Sequence, residues 1–367
     1  MNLTNKLNME YKIFDINNSE EWISYLNRLP EFNQDIYFDP RYYKISQKFG
    51  HSVAECFLYI EGDNFILYPY LKRFLKKLSF DHQYQNYVDI EGAYGLNGAA
   101  STLEYTSKHA SFFNNFSDTF ASYCLDSNII AEFTRFNSLY RNQNYFMHTE
   151  NVKVNKSVIV DLFCKDPIMD SYEHSVRKNI KKAERNNLYC IKAKGSEVTT
   201  EQLEQFIDIY EKTMLRNQAS EFFYFDRKFY NDMNREIRDD MLYFFIYKDK
   251  TCVSTELVLK GRQVAYSYLG GTNPEYYACG ANVFLKHNVI KYLKSVGLHY
   301  FYLGGGMAMD DEIFNYKKKF SRNGVMDFFI GKKIHNKNAY NEIIALWGRN
   351  NSNKIKKYKN ILTRYWL

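Results

Sequence analysis

The stretch from Tyr266 to Leu303 constrains the fold of this chain more than any other segment. A strand-like run ends at Leu269, a glycine-rich loop follows it, and a helical run begins directly after Gly280. After Gly297 comes a second strand-like run, Tyr300–Leu303. Small residues in such a loop let the backbone approach a ligand closely, and the first N–H groups of a helix lack partners within the helix. The pattern predicts either a pyrophosphate site at the start of the helix or an ordinary loop.

The residues predicted to hold the anion lie on both sides of this loop. They are Gly270, Gly271, Thr272, Gly280, Ala281 and Asn282. Exposed backbone amides at the last three would bind the anion, and the positive end of the helix dipole would favour it. A site of this kind holds a pyrophosphate without many cationic side chains.

Length and composition favour two folded domains. The chain has 367 residues, of which 45% are hydrophobic and 25% are charged, so it can bury a core in each domain and is not a disordered chain. The formal net charge of +7 favours acidic ligands such as phosphates, nucleotide sugars, CoA or tRNA, without choosing among them.

Several classes of protein are disfavoured. The six cysteines form no C-x-x-C pair, and no H-x-x-x-H pair occurs, so we expect neither a metal site nor a disulfide framework. The segment from Met1 to Phe14 lacks the apolar core of a signal peptide, and no apolar run approaches the roughly 18 residues of a membrane helix. We therefore expect a cytoplasmic protein without a transmembrane segment.

The first half of the chain is predicted to mix helices and strands. Helices are expected at Glu20–Leu29, from Pro40 onward, and at Ala110–Asp126. Strands are expected at Val53–Glu61, Asn64–Leu71, Ile129–Arg135 and Lys156–Leu162. A turn at Glu61–Asn64 joins the first two strands.

The second half is predicted to start near Pro167 with a strongly basic helix, Met169–Asn187. The other helices are expected at Glu201–Arg216, Asp226–Arg238 and Ala281–Val296. Strands are expected at Leu242–Tyr247, Cys252–Leu259 and Gln263–Leu269, and their short connections predict an antiparallel meander. The tail from Lys332 is basic and predicted to be helical.

Further segments carry a resemblance to a known family. They are Asp89–Gly95, Glu132–Leu139, Arg177–Ala183, Tyr210–Ala219, Leu303–Gly306 and Phe314–Phe320. Together with the strand, loop, helix and strand described above, they resemble in their order the FemABX-like branch of the GNAT acyltransferases, in which two GNAT domains are joined. Tyr210–Ala219 is similar to a segment of members associated with polysaccharide biosynthesis. The long coiled-coil insertion of some peptidoglycan bridge enzymes has no counterpart here, which disfavours a peptidoglycan substrate.

The resemblance implies a mixed α+β fold of two tandem GNAT-like domains, each a mostly antiparallel mixed sheet flanked by helices. Expected boundaries are 1–162 for the N-terminal domain and 163–333 for the C-terminal domain, which holds the donor site. Residues 334–367 are expected to form a basic helical tail that packs on the N-terminal domain.

The resemblance also implies direct transfer, in which an amine attacks a thioester or ester carbonyl without a covalent intermediate. Such an enzyme must accept a proton, stabilise an oxyanion and hold both substrates in line. Glu256, in an apolar strand that borders the acceptor site of GNAT enzymes, is the predicted base, the alternative being a glutamate facing solvent. Tyr268 is predicted to donate a proton to the leaving group or line the pocket, or else is a packed tyrosine.

Three basic residues are predicted to bind phosphates or carboxylates of the substrates. Arg177 and Lys178 lie on the basic helix, and Arg216 lies in the segment that resembles polysaccharide-associated members. Arginine suits such groups because it can make two parallel hydrogen bonds to them. A solvated basic face and a local ion pair are the alternatives.

Other contacts are predicted near Leu303–Gly306 and Phe314–Phe320, and in the first half of the chain. Gly304 and Gly305 would let a substrate approach the backbone. Lys317 would contact donor phosphates, unless it belongs to an exposed lysine run. Tyr94 and Arg135 would form an acceptor wall where the two domains meet.

Three functions stay open. The first is transfer of an acyl group from acyl-CoA, such as acetyl-CoA, to the amine of a nucleotide-linked or otherwise phosphorylated amino sugar in cell-surface polysaccharide biosynthesis, without a metal. The second is aminoacyl transfer from aminoacyl-tRNA, as in peptidoglycan bridge synthesis. The third is non-catalytic nucleic-acid binding through the basic helix and the basic tail.

Overall fold

The computed structural model describes residues 9–50, 52–78, 84–164 and 168–367. The chain forms two compact units, each with helices and strands as predicted. Unit 1 comprises Met1–Asn33, Tyr37–Val154 and Phe328–Leu367, and unit 2 comprises Gln34–Ile36 and Asn155–Asp327. Pro167, near which the second half is predicted to start, lies outside the described residues.

Unit 1 is built on a mostly antiparallel sheet. Its first elements are β1 (Met9–Asp15), α1 (Ser19–Leu26), α2 (Pro40–Gly50), β2 (Val53–Glu61), β3 (Asn64–Phe74), β4 (Val88–Glu91), β5 (Ala100–Ser101), α3 (Ala110–Asp126), β6 (Ile129–Arg135) and β7 (Glu150–Asp161). The strands β1 to β4 pair antiparallel in that order, β5 pairs with β3, and β4 pairs parallel with β6. The chain passes along β7 from unit 1 into unit 2.

The core of unit 1 is aromatic because α3 turns phenylalanines toward the sheet. Phe112, Phe116 and Phe120 recur at four-residue spacing and are buried with Phe57 and Tyr68. The ring centroids of Phe57 and Phe120 lie 4.9 Å apart, and those of Tyr68 and Phe120 lie 5.1 Å apart, both edge-on. Such pairs stabilise a fold by about 0.5–1.5 kcal/mol beyond the area that they bury.

Unit 2 contains the basic helix and the antiparallel meander. Its elements are α4 (His174–Arg185), β8 (Tyr189–Lys194), α5 (Thr200–Arg216), α6 (Arg227–Ile237), β9 (Met241–Lys248), β10 (Thr251–Lys260), β11 (Val264–Thr272), α7 (Ala281–Ser295), β12 (Tyr300–Gly304) and α8 (Glu312–Lys318). The strands β8 to β11 pair antiparallel in that order, which confirms the predicted meander. The strand β12 pairs parallel with β11 and antiparallel with β7.

Different helices cover the two faces of this sheet. Phe244 of β9 belongs to the apolar core that α4 and α7 share. The neighbouring Tyr243 instead contacts Phe206 of α5, with ring centroids 5.2 Å apart. Because successive strand residues point to opposite faces, α7 and α5 lie on opposite sides of the sheet. A capping box fixes the start of α5, since Thr199 and Gln202 each bind the other's backbone N–H through their side chains.

The parallel strands β11 and β12 separate part-way along their length. They pair only through Val264–Tyr266 on β11 and Tyr300–Tyr302 on β12. Beyond these residues β11 runs on to Thr272 and β12 to Gly304 without pairing to each other. An opening between the strands therefore begins at Ser267.

The chain then returns to unit 1. Its last elements are β13 (Val325–Ile334), which pairs antiparallel with β6, α9 (Lys337–Asn350) and α10 (Ile355–Tyr358). Near the end of the chain, Tyr365 Oη and Trp366 Nε1 donate hydrogen bonds of 2.8 and 2.7 Å to Asp89 Oδ2, and Arg73 Nε donates to Oδ1. A buried carboxylate of β4 thus holds the basic tail to unit 1.

The predicted start of the basic helix is wrong. The helix begins at His174 and not at Met169, because Glu173 has an extended backbone with ψ of 153°. A 3-10 turn, Ile168–Ser171, occupies the preceding residues.

Candidate functional site

The predicted base Glu256 lies inside unit 2, on the α7 side of the sheet. Its side chain is only 4% exposed, which rules out the alternative of a glutamate facing solvent. Ser267 Oγ donates a hydrogen bond of 2.6 Å to Glu256 Oε1, and the Lys286 ammonium donates to the same oxygen. Lys286 Nζ also donates to Ser267 Oγ over 3.0 Å. The three polar groups therefore satisfy one another in an apolar surrounding.

Lys286 reaches Glu256 from the second turn of α7. The lysine residue is 7% exposed, and its Nζ lies 5.3 Å from the centroid of the Phe301 ring on β12. A cation at this distance is attracted by the negative face of an aromatic ring. The buried ammonium thus has a carboxylate, a hydroxyl and a ring as neighbours.

Lys317 of α8 completes the group of charges. Its Nζ donates a hydrogen bond of 2.7 Å to the carbonyl oxygen of Gly305. Burial, together with the positive charge of Lys286, lowers the pKa of Lys317 to about 8, although Glu256 opposes the shift. Glu256, Ser267, Lys286 and Lys317 are called the charged cluster below. Lys317 lies here, and not in an exposed lysine run on the surface.

The charged cluster lies where β11 and β12 separate. Ser267 is the first residue of β11 beyond the parallel pairing, and Lys317 binds the residue that follows β12. Past this point β11 does not pair with β12. The opening between the two strands therefore lies beside side chains that can donate and accept protons.

Gly304 and Gly305 both lie next to the Lys317 side chain. Gly304 has φ of +73°, a left-handed backbone that favours glycine, and a Cβ there would lie 3.6 Å from Lys317 Nζ. The carbonyl oxygen of Gly305 binds the same ammonium, and a Cβ on Gly305 would overlap the carbonyl oxygen of Lys156. The structure thus brings Gly304 and Gly305, which are predicted to bind the substrate, next to Lys317, which is predicted to contact donor phosphates.

The start of α7 offers fewer amides than the sequence predicts. The N–H of Gly280 donates to the carbonyl oxygen of Tyr277 over 3.0 Å. Within the described residues, the N–H groups of Ala281 and Asn282 have no hydrogen-bond partner. Ala281 is buried, whereas Asn282 is partly exposed. The predicted anion site therefore depends on Ala281 and Asn282 and not on Gly280.

Helix α4 packs directly over this point. A Cβ on Gly280 would lie 2.8 Å from the carbonyl oxygen of Asn179 on α4, and Gly280 has φ of +85°. Only a glycine allows both this close approach and the left-handed backbone without strain. The space beside the start of α7 is therefore narrow.

The residues at the end of β11, Gly270, Gly271 and Thr272, pack closely against neighbouring elements. A Cβ on Gly271 would overlap Thr213 Oγ1 and lie 2.8 Å from the carbonyl oxygen of Ile209, both on α5. Thr272 is buried, and its Oγ1 lies 2.5 Å from Ser254 Oγ. A Cβ on Gly270 would lie 2.7 Å from the carbonyl oxygen of Thr255. These three residues hold β11 close to α5 and β10.

Replacing Gly271 with alanine is expected to lower the free energy of unfolding by about 1–3 kcal/mol, because the added methyl group must push α5 away from β11. Chemical denaturation of the purified variant measures this loss. Gly348→Ala is the matched control, since Gly348 lies in helix α9 and a Cβ there would make only ordinary contacts. Equal stability of the Gly271 variant and the parent would contradict the packing role.

Arg216 lies beside the loop before α7. Its Nη2 donates a hydrogen bond of 3.1 Å to Tyr277 Oη, and its guanidinium carbon lies 5.9 Å from the centroid of that ring. Both residues are exposed. The structure thus brings Arg216 to the loop that leads to the predicted anion site.

The two basic residues of α4 have different surroundings. Arg177 Nη1 donates to the carbonyl oxygens of Tyr172 at 2.6 Å and Met169 at 3.3 Å, so it braces the turn before the helix. Lys178 is exposed. Of the two predicted phosphate ligands, Lys178 is the one whose charge faces solvent.

Tyr268 does not lie with Glu256. Ser267 points toward α7, whereas Tyr268 is the extra residue of a β-bulge, since Val258 pairs with Ser267 and Leu257 with Leu269. The Tyr268 hydroxyl is close enough to that of Tyr230, whose ring contacts Phe206 of α5, to contribute to raising the pKa of Tyr230, after burial and the nearer tyrosines. The predicted proton donor is thus on the other side of β11 from the charged cluster.

Tyr94 and Arg135 both belong to unit 1. Burial raises the pKa of Tyr94, and the positive charge of Arg135 opposes this rise, so the two groups are close. The guanidinium of Arg135 also lies 5.8 Å from the centroid of the Phe328 ring. The acceptor wall that these residues are expected to form stays a prediction.

The known family that matches the chain is that of the acetyltransferase (GNAT) domain, over residues 171–318. The crystal structure of FemX is similar to the whole chain, with a TM-score of 0.68 and 12% identity, and the match covers 91% of this chain and 99% of FemX. The chain has the double-GNAT, FemABX-like fold. Residues 171–318, which make up most of unit 2, form a GNAT acetyltransferase domain.

Two further solved structures are similar in fold to this chain. L-PGS from Bacillus licheniformis has a TM-score of 0.52 and 11% identity, over 92% of this chain and 98% of that one. A conserved protein of unknown function from Bacteroides thetaiotaomicron has a TM-score of 0.54 and 6% identity, over 89% of this chain and 99% of that one. No curated protein matches the sequence.

In the described part of the chain, no helix is long and apolar enough to cross a membrane. The same residues contain no group of three or more histidine, cysteine, aspartate or glutamate side chains arranged to hold a metal ion.

Sequence reasoning missed Ser267 and Lys286 in the GNAT domain. A signal for Lys286 exists, because it follows the apolar run Val283–Leu285 of a helix whose buried side would require a lysine to find a partner inside the fold. The serine alternates with apolar residues of β11 like any strand residue, so no local pattern marks it. Both are recognised by their contacts with Glu256.

Proposed function

We propose that the chain transfers an acyl group from acyl-CoA, such as acetyl-CoA, to the amine of a nucleotide-linked or otherwise phosphorylated amino sugar. The product would serve the synthesis of a cell-surface polysaccharide. The observation that carries the proposal is the charged cluster at the separation of β11 and β12, inside a GNAT domain. The sugar acceptor rests on the resemblance of Tyr210–Ala219 alone.

The cluster supplies the groups that direct transfer needs. As the amine nitrogen bonds to the thioester carbonyl carbon, Glu256 accepts the proton that the amine loses. Lys286 holds the carboxylate in place and adds positive charge beside the developing oxyanion. When the carbon–sulfur bond breaks, Lys317 donates a proton to the thiolate, since its pKa of about 8 is close to that of a thiol, about 8.5.

The start of α7 supports an anionic donor. The free N–H groups of Ala281 and Asn282 and the positive end of a 15-residue helix would receive the pyrophosphate of CoA. Arg216 would add a charged contact from the neighbouring loop. These residues can hold the pyrophosphate of CoA. The close approach of α4 to Gly280 leaves only a narrow space for it.

The second candidate is aminoacyl transfer from aminoacyl-tRNA. The close approach of Asn179 to Gly280 favours it, because an ester donor requires no pyrophosphate groove at the start of α7. The exposed lysines of α4 would then contact the RNA backbone. Non-catalytic nucleic-acid binding has no comparable support, because it leaves the GNAT domain without a role.

Acetyl-CoA is expected to raise the melting temperature of the protein, and release of free CoA thiol should require an amino-sugar acceptor. We would follow thiol release and product mass with a panel of nucleotide-linked amino sugars. Free CoA without its acyl group and the sugars without their amine serve as controls. No stabilisation by acetyl-CoA, combined with salt-sensitive transfer from aminoacyl-tRNA, would replace the first candidate with the second.

A further inference from the structure

Unit 1 contains a cavity of about 340 Å³ that no step of the proposed reaction uses. Three segments form it, residues 30–33, 101–105 and 139–145. Its lining includes Asn33, Glu104, Tyr105, Tyr140, Arg141 and Asn144. Ligand pockets typically measure about 300–1,000 Å³, so this cavity suits a ligand of one ring.

Two opposite charges line the cavity without partners. In the part of the chain that the structure describes, the side chains of Arg141 and Glu104 make no hydrogen bond and no ion pair. Both residues are exposed and line the same cavity, so their charged groups are accessible to a ligand from solvent. A free guanidinium binds carboxylate or phosphate with two parallel hydrogen bonds, and a free carboxylate binds an ammonium group.

Aromatic rings form the walls. The rings of Phe32 and Tyr140 meet edge-on with centroids 4.9 Å apart. Tyr145, which is buried, stacks on Phe113 with centroids 4.7 Å apart. Rings held in this way keep their orientation, and their faces offer apolar area to the body of a ring compound.

Glu104 also lies near Tyr145, another residue that lines the cavity. Burial raises the pKa of Tyr145 to about 12, and the negative charge of Glu104 contributes to the rise. The carboxylate is therefore close to the Tyr145 hydroxyl, and a cation placed there would be attracted to Glu104.

The backbone holds Arg141 in a fixed position. Arg141 has φ of +49°, and its N–H donates to the carbonyl oxygen of Asn137 over 3.0 Å. The next residue, Asn142, is fully buried and donates from Nδ2 to the carbonyl oxygens of Asn97 and Ala99. The loop that carries the guanidinium is thus tied to the sheet before any ligand binds.

We infer that this cavity binds a zwitterionic amino sugar of a single ring, with its anionic group on Arg141 and its ammonium group on Glu104. The aromatic walls contact the ring, and Asn33 and Asn144 provide amides for its hydroxyl groups. The site is a binding site in unit 1 and does not depend on the transfer reaction proposed for unit 2.

Isothermal titration of the full-length protein with glucosamine 6-phosphate tests the inference. Glucose 6-phosphate, which lacks the amine, and glucosamine, which lacks the phosphate, are the matched ligands. We expect glucosamine 6-phosphate to bind at least tenfold more tightly than either. Arg141→Gln should reduce its affinity to that of glucosamine, and Glu104→Gln should reduce it to that of glucose 6-phosphate.

Arg349→Gln is the control variant, because Arg349 is an exposed arginine of unit 1 that does not line the cavity. It should bind all three ligands as the parent does, and melting curves should show that each variant is folded. Equal affinity for the three ligands, or unchanged binding by both cavity variants, would overturn the inference. The Glu256→Gln variant should still bind glucosamine 6-phosphate, so failure of the transfer proposal and failure of this one can be told apart.

Discussion

Glu256→Gln is expected to reduce turnover by about 10²–10⁴-fold while the protein still binds its acyl donor. Glutamine keeps the size of the side chain and can still accept hydrogen bonds from Ser267 and Lys286. It cannot accept the proton that the attacking amine must lose. Steady-state kinetics would measure the loss, and thermal stabilisation by acetyl-CoA would report donor binding.

The control for this experiment is Glu132→Gln in unit 1. Glu132 is also a buried strand glutamate, with hydrogen bonds from Tyr68 Oη at 2.6 Å and His335 Nε2 at 3.0 Å. Its replacement should lower stability without lowering the turnover of the folded protein. Normal turnover by folded Glu256→Gln would remove Glu256 from the mechanism.

Turnover should fall tenfold for each pH unit above about 8, because Lys317 must be protonated to donate to the leaving thiolate. The pKa of Lys317 lies below its ordinary value, so the ammonium loses its proton within the range in which enzymes are assayed. Lys317→Met should lower turnover by about 10²–10⁴-fold and remove this alkaline limb. A pH–rate profile of parent and variant measures both effects.

An activated donor separates proton donation from other roles of Lys317. An aryl thioester has a leaving group of low pKa that needs no proton, so it should restore most of the turnover of Lys317→Met. Lys318→Met is the control, because Lys318 is the exposed neighbour on the same helix. An alkaline limb that persists in Lys317→Met, or an aryl thioester that gives no rescue, would show that another group donates the proton.

Elements with strong apolar patterns could be predicted from the sequence, and exposed edge strands could not. The bounds of Val53–Glu61, Ala110–Asp126 and Ile129–Arg135 are confirmed to the residue. In contrast, the strands Met9–Asp15 and Tyr189–Lys194 were not predicted, because most of their side chains are exposed or half-buried and the alternation of apolar and polar residues in them is short. Such strands owe their conformation to pairing with a neighbour, which local sequence does not record.

The candidate site was predictable only in part, for a related reason. Glu256 is a charged residue among the apolar neighbours of a predicted strand, so it could be singled out from the sequence. The roles of Ser267, Lys286 and Lys317 depend on which helix faces which strand. Burial, which lowers the pKa of Lys317, cannot be read from a run of three lysines.

The short helix α8 links the two ends of the proposed donor site. Tyr316 Oη donates a hydrogen bond of 3.0 Å to the carbonyl oxygen of Asn282, and the next residue, Lys317, belongs to the charged cluster. A shift of Asn282 when a pyrophosphate arrives would thus move the proton donor as well. Such a linkage favours an ordered reaction, in which the donor binds first and an amine that arrives early finds the acid out of position.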